Sequence, residues 1–484
     1  MLHTAENNLD SIELTPLCVD LDGTLVKSDT LVDSLFVFLR QRPGSAFSLL
    51  AALAHGKAGF KAYVTGKVEL DVVHLPYNRE LLTYLQHEHE RGRKIYLATG
   101  ADQRLAERVA RHLGIFAGVF GSDGATNLTG KNKLERLRNF IGSDQFGYIG
   151  NARADLPLLK ASSEALVANP TLGLKLGIKS QGIKVTHSFH DASSPVRCLF
   201  KALRLHQWAK NLLIFLPLFL AHKAGMPKAM ASLLAFVCFG MTASATYIIN
   251  DLLDIEADRR HPRKRRRAFA SGDMSAFVGL AISASFLIAA FVAGALLLPH
   301  AFLLWLGLYL VTTLSYTAIL KRLALLDVLV LSGLYTLRLQ VGGAATGTPI
   351  SHWLAGFSVF LFLSLAFVKR FAELENLRAS GATPKNGRGY LVADLEQLRA
   401  FGTASAFAAV VVFANYISGS DVMALYHKPS MLWLVVPMML LWLCRVWLLA
   451  ARGELNEDPV VFALTDKLSL LIGGIVVLLA LMAL

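Results

Sequence analysis

Tyr247-Ile248-Ile249-Asn250-Asp251-Leu252-Leu253-Asp254-Ile255-Glu256-Ala257-Asp258 joins the end of an apolar run to a string of acids. Asn250, Asp254 and Asp258 stand four apart with Asp251 beside them, so an unbroken helix would bring these oxygens to one face. Ionisable side chains at membrane depth are costly and are usually kept for function. Carboxylates at this spacing repel one another, so a cation belongs among them. Hard oxygen donors suit Mg²⁺, which takes a few carboxylates and completes its shell with substrate phosphates. The stretch therefore predicts a helix end that holds Mg²⁺ together with substrate phosphate.

Outward from this point the 484 residues divide into two regions. Up to about residue 195, charged and apolar residues are mixed as in a globular domain. Beyond it, apolar runs of roughly 18–22 residues alternate with short charged loops, the length a bilayer core demands of a helix. The 54% hydrophobic content and mean hydropathy of +0.47 come from this second region. Nine spans are predicted near 206–222, 230–250, 275–297, 300–319, 325–345, 352–369, 400–418, 430–450 and 463–483. Lys201, Lys210, the run Arg259 to Arg267, Lys321, Arg322, Lys369, Arg370, Arg445 and Arg452 then share one side, the cytoplasmic one. Nine crossings leave the C-terminus outside. These readings predict a multi-pass protein of the inner, cytoplasmic membrane.

The net charge of +13 fits this topology. Its densest cluster follows a span, no recognition fold accompanies it, and nucleic-acid binding is set aside. Cys18, Cys198, Cys238 and Cys444 form no CxxC pair, which argues against a disulfide framework or a zinc site. Met1 to Pro16 carries Glu6, Asp10 and Glu13 and no basic-then-apolar leader, so the first domain is expected to stay in the cytoplasm.

In the soluble region, strands are predicted at Leu17–Leu21, Lys94–Ala98, Phe116–Phe120 and Phe146–Ile149, with a helix-rich insert at about 28–92. Strands separated by helices argue for an open parallel sheet with its site at the carboxyl ends of the strands. Asp20 and Asp22, in Asp20-Leu21-Asp22-Gly23-Thr24, end the first strand, where they can act as nucleophile and acid/base around a shared metal. Thr99-Gly100 ends the second strand, with a hydroxyl able to hold a phosphate oxygen. Lys133 follows the third and can neutralise phosphoryl charge. Asp155, with Asn151 before it, follows the fourth and is placed for Mg²⁺. The stretch 162–194 reads as a Ser/Gly/Pro linker, so the domains are expected at 1–190 and 191–484.

This ordered set resembles the haloacid dehalogenase superfamily. The resemblance implies a Rossmann-like α/β phosphatase with a small helical cap, an aspartyl-phosphate on Asp20, proton donation by Asp22, and metal ligation by Asp20, Asp22 and Asp155. Asn151 stands where many members carry Asp. From Asn250 to Asp258 the pattern NDxxDxxxD resembles the UbiA superfamily of intramembrane prenyltransferases, an all-α membrane fold of nine helices. That implies Mg²⁺ and diphosphate on Asp251, Asp254 and Asp258, Asn250 at the substrate, and a second acidic motif opening at Asp327. The usual second motif is DxxxD, and position 331 is Leu.

Three further stretches, 204–211, 337–344 and 367–374, are similar to a branch that moves phosphoribose from phosphoribosyl diphosphate to a polyprenyl phosphate. The lipid is then the acceptor, and the soluble domain would dephosphorylate the product. Attachment of an isoprenoid chain from prenyl diphosphate to an aromatic or other acceptor is the alternative. Arg204, Lys210, Lys321, Arg338, Lys369 and Arg370 are candidate phosphate ligands. For Lys369 and Arg370, cytoplasmic anchoring explains the charge equally well. Residues 371–399, with Gly387-Arg388-Gly389-Tyr390, make a loop long enough for a lid.

Overall fold

A computed structural model describes residues 14–54, 56–123, 126–141, 145–222, 225–379, 381, 388–455 and 458–484. Gly387 and most of the Met1 to Pro16 segment lie outside them. The chain forms two compact units, and the division is not a single break. The first unit holds the residues up to Ala202 together with Asp251–Leu280; the second holds Leu203–Asn250 and Ala281–Leu484. The segment 251–280, which begins at the acidic stretch, thus packs with the soluble domain rather than with the helices that flank it.

The first unit is built on a six-stranded parallel sheet of order β3-β2-β1-β4-β5-β6, with β1 Leu17–Val19, β2 Ile95–Asp102, β3 Gly118–Ser122, β4 Gly147–Gly150, β5 Glu164–Ala168 and β6 Val185–Phe189. Near-continuous apolar runs such as Leu17-Cys18-Val19 are buried on both faces, as a helix-covered parallel sheet requires. The strand order reverses beside β1, which puts the crevice at its carboxyl end. The helical insert is α1 Thr30–Gln41, α2 Ala46–Leu53, α3 Gly56–Lys67 and α4 Arg79–Glu90. Asp29 caps α1 by accepting from the amides of Leu31 and Val32 at 3.0 and 3.1 Å.

The stretch 162–194 is not the linker expected. Glu164-Ala165-Leu166-Val167-Ala168 is a buried strand, and a helix at Leu172–Gln181 leads to β6 at the sheet edge. Flanking Ser and Gly residues masked an apolar run of ordinary strand length.

The second unit is helical. Among the described residues seven helices are long and apolar enough to cross a membrane: Met226–Leu253, Ala276–Leu297, His300–Ala318, Leu326–Thr346, His352–Ala379, Val392–Ile417 and Pro429–Ala451. The pair Pro459–Thr465 and Lys467–Ala483, bent by 77°, makes up to eight. The nine expected spans are not reached because the first is broken. Leu205–Phe215 is a 3₁₀ segment and only Leu216–Leu220 is α-helical, after Arg204 at a φ of 50°. Helix Leu326–Thr346 presses its backbone against this segment. A Cβ on Gly342 would lie 2.0 Å from the Ile214 carbonyl oxygen, so only glycine allows the approach.

Candidate functional site

The sheet collects the soluble-domain residues at one cavity of about 510 Å³. Asp20 enters from β1, and Asp155 from the turn after β4. Lys133, on the helix Lys131–Ile141, donates to Asp20 Oδ1 at 2.8 Å and lies 3.7 Å from Asp155 Oδ1. It also donates to the Tyr148 hydroxyl at 3.0 Å, which in turn donates to Asp155 at 2.8 Å. The other Asp155 oxygen accepts from the amides of Asn151 and Ala152 at 3.1 and 3.0 Å. Asp22 accepts from the Thr30 amide at 2.8 Å, which ties it to the first turn of the cap.

Burial pushes the Asp20 carboxyl up to about 6, against the downward pull of Lys133. Burial, reinforced by Asp29, pushes Asp22 up to about 8. A carboxyl that keeps its proton at neutral pH is suited to give one to a leaving group. Burial works to lower the Lys133 ammonium, but Asp20 and Asp155 outweigh it and the net shift is upward, so it stays charged.

Asn151 lines the cavity against Gly23, whose φ is 73°; a Cβ there would sit 2.0 Å from the Asn151 amide nitrogen. Gly100 also lines it, with its carbonyl accepting from Lys61 and Ser122 at 2.6 and 2.8 Å. Thr99 is fully buried, its hydroxyl accepting from the Ala101 amide, and it is not part of the cavity lining. Among the described residues no three Asp, Glu, His or Cys side chains form a ready-made metal cage. Asp20, Asp155 and the Asn151 amide nevertheless bring hard oxygens to one cavity, a donor set that fits Mg²⁺.

The acidic stretch departs from the single face expected. The long helix ends at Leu253, Asp254 occupies the break with φ −95° and ψ 9°, and a short helix resumes at Ile255–Arg260. The break separates the carboxylates. Asp251 and Asp258 converge on Arg267, which donates to them at 3.0 and 2.6 Å. Asp254 instead meets Arg40 of the cap helix at 3.5 Å. Burial raises the Asp258 carboxyl and Arg267 opposes it.

In the second unit Lys321 donates to Asn250 at 3.3 Å. Asp327 is fully buried and held by Arg370 and the Tyr390 hydroxyl, both at 2.6 Å. Arg370 also pairs with Glu373 at 2.6 Å. Two candidates from the sequence, one acidic and one basic, thus answer each other. Lys210 and Lys369 both donate to Asp458, at 3.0 and 2.8 Å. Arg338 is buried, donates to Asn211 at 3.0 Å and lies 5.1–5.6 Å from the rings of Phe239, Tyr309 and Tyr335. The Asn211 amide nitrogen is buried and has no hydrogen-bond partner among the described residues. Arg204 lies 5.3 Å from the Tyr247 ring.

Sequence reasoning missed Asp458, Tyr148 and the pairing role of Arg267. Asp458 could have been found as a lone carboxylate before Pro459 at the start of an apolar run; Arg267 was absorbed into a topological cluster.

Residues 211–471 match the UbiA prenyltransferase family. The chain belongs to that family. Residues 17–160 match the haloacid dehalogenase-like hydrolases, so this UbiA-family transferase carries a phosphatase domain of that type. An uncharacterized protein of Sinorhizobium fredii, y4nM, is 38% identical over 463 residues, 95% of this chain and 89% of that protein. The nodulation protein NoeC of Azorhizobium caulinodans is 32% identical over 282 residues, 58% of this chain and 91% of its own. The decaprenyl-phosphate phosphoribosyltransferase of Mycobacterium tuberculosis is 35% identical over 187 residues, 38% of this chain and 62% of that enzyme.

Proposed function

We propose that this UbiA-family member is a bifunctional enzyme of the cytoplasmic membrane with its phosphatase domain on the cytoplasmic side. The membrane half transfers phosphoribose from phosphoribosyl diphosphate to a polyprenyl phosphate. The bond from C1 to the diphosphate breaks, a phosphate oxygen of the lipid bonds to C1, and diphosphate leaves. The phosphatase half then removes the 5-phosphate. The observation that carries the reading is the placement of Asp251 and Asp258 about one cation, Arg267, in the same compact unit as the Asp20 cavity. Two pieces of phosphate chemistry are built into one body. The similarity to a phosphoribosyltransferase favours a sugar diphosphate as donor, and Leu331 in place of a second-motif carboxylate agrees with it.

In the phosphatase, Asp20 attacks the phosphorus while Asp22 gives its proton to the departing sugar oxygen, and water then releases phosphate from Asp20. Lys133 holds charge against the phosphoryl oxygens throughout. Asp20, Asp155 and Asn151 would hold Mg²⁺, and Asp251 and Asp258, which converge in the structure, would hold it at the diphosphate. Bound there, it supplies charge stabilisation for phosphoryl and leaving oxygens. Asp327, tied to Arg370 and Tyr390, positions the helix start beside Lys321.

Purified protein given phosphoribosyl diphosphate, polyprenyl phosphate and Mg²⁺ should form a ribosyl lipid plus diphosphate. Asp20→Asn should stop at the phosphorylated lipid. Consumption of prenyl diphosphate with no need for the sugar donor would replace the transferase reading by ordinary prenyl transfer. An unchanged product from Asp20→Asn would remove the phosphatase from the sequence.

A further inference from the structure

The Asp20 cavity has two unlike sides. Its floor is polar, formed by Asp20, Asp22 and Lys133. The segment that follows the acidic stretch adds Ile255, Phe269, Met274, Ser275, Ala276 and Phe277 to its lining. All of these side chains except that of Ser275 are apolar. A free sugar phosphate has no apolar surface to set against such a wall, and water-exposed apolar surface at a phosphate site is a cost unless a ligand covers it.

The wall is held in place by charge. Arg259 is buried, donating to Asp33 at 2.8 Å, to the Ser28 hydroxyl at 3.0 Å and to the Ala270 carbonyl at 3.1 Å. Lys27 donates to Asp273 at 2.7 Å. Between these anchors Gly272 has a φ of 72° and passes so close to Lys27 that a Cβ would lie 2.7 Å from the lysine Cβ. Phe269, next to Ala270, is buried by this arrangement, whereas Met274 is half-buried and Phe277 is 65% exposed.

The rim also has a direction. Ala276 and Phe277 are the first residues of Ala276–Leu297, an element apolar enough to cross a membrane and little buried within the protein. Two residues of the cavity lining are thus continuous in the chain with a helix apolar enough to cross a membrane.

We infer that residues 269–277 are the substrate-selecting wall of the phosphatase, receiving the apolar tail of a membrane-borne phosphate monoester through Met274 and Phe277. The inference rests on the phosphatase reading of Asp20 and adds the residues that tell a lipid-linked sugar phosphate from a free one. The reaction is hydrolysis: the P–O bond to the sugar breaks, the sugar oxygen takes up a proton, and water supplies the new oxygen of the released phosphate.

The test uses the full chain in lipid nanodiscs and alkyl ribofuranoside 5-phosphates bearing two-carbon and eight-carbon chains, with phosphate release as the readout. The wild type should show kcat/KM about tenfold higher for the longer chain, what burial of roughly two methylenes supplies. Met274→Gln combined with Phe277→Gln should bring that ratio below about threefold, while Met274→Leu keeps it. Partition of the longer chain into lipid is common to all three proteins, so only the wall separates them. A wild type indifferent to chain length, or a double variant that keeps the tenfold ratio, overturns the inference. Absence of hydrolysis of either ester overturns it together with the phosphatase reading. No transferase step enters the assay, so a flat ratio with Asp20-dependent hydrolysis removes the wall alone and leaves the phosphatase reading standing.

Discussion

Both acidic clusters of this protein place one cation between two carboxylates, and they reach that arrangement by different routes. In the phosphatase cavity, Lys133 lies 2.8 Å from Asp20 and 3.7 Å from Asp155, with all three side chains buried. Neighbouring parallel strands bring Asp20 and Asp155 together although 135 positions separate them. In the acidic stretch, Arg267 lies 3.0 Å from Asp251 and 2.6 Å from Asp258, and its side chain is partly exposed. There a helix break and a returning loop do the work over a few turns of chain. A sheet fixes its site through the core, so the cation is a permanent part of it. A loop can give its cation up, as the metal-diphosphate site proposed above requires.

The largest effect that separates the two routes is expected from Lys133→Met. Phosphate release should fall by about 10³, the upper range for losing one preorganised charge donor. Diphosphate release by the same sample should stay within about twofold of wild type. A parallel fall in both would mean that the clusters are not independent, and the comparison would break.

Arg259→Leu comes next. It leaves Asp33 as a buried charge without its guanidinium, which should cost about 3–5 kcal/mol, read as a lower unfolding midpoint. Replacing both partners by leucine should recover much of the loss, because no uncompensated charge remains. A wild-type midpoint for Arg259→Leu would show that the pair does not hold the segment.

Arg267→Gln should act on the looped cluster alone. Losing one charge-assisted hydrogen-bonding group predicts a fall in diphosphate release of about tenfold. Hydrolysis of a soluble ribose phosphate by the same protein should not change. A loss confined to phosphate release would reverse the assignment of the two clusters.

The same contrast explains what the sequence revealed. Asp20, Lys133 and Asp155 were legible because strand ends in an open parallel sheet converge whatever their separation in the chain. Thr99 belonged to that order too, yet its hydroxyl turns to the backbone at Ala101 rather than to the cavity. The acidic stretch was legible as a cluster of carboxylates in need of a cation, and its geometry was misread. Counting by four presumes a helix that continues, and the chain stops at Leu253, sending Asp254 to another partner. Arg370 and Asp327 were each noticed and never joined, because they stand 43 positions apart on different helices. Nor does periodicity reveal that 251–280 packs on the soluble domain; that follows from tertiary pairs such as Arg259 with Asp33.

The smallest effect is the most discriminating for Asp254. Its pair with Arg40 is 3.5 Å long, and the two side chains are 30% and 18% exposed, so the contact is worth at most about 1 kcal/mol and Arg40→Ala should scarcely move the unfolding midpoint. The sign of its effect on metal demand is nevertheless fixed by charge. Removing the guanidinium deepens the negative potential at Asp254, so a Mg²⁺ ion held there would bind more tightly. The Mg²⁺ concentration for half-maximal diphosphate release should fall, by up to about fivefold if the whole pair energy is returned to the metal. A rise would mean that Arg40 itself grips the diphosphate. No change, with Asp251→Ala still inactive, would leave the metal to Asp251 and Asp258 and give Asp254 the single task of ending the helix.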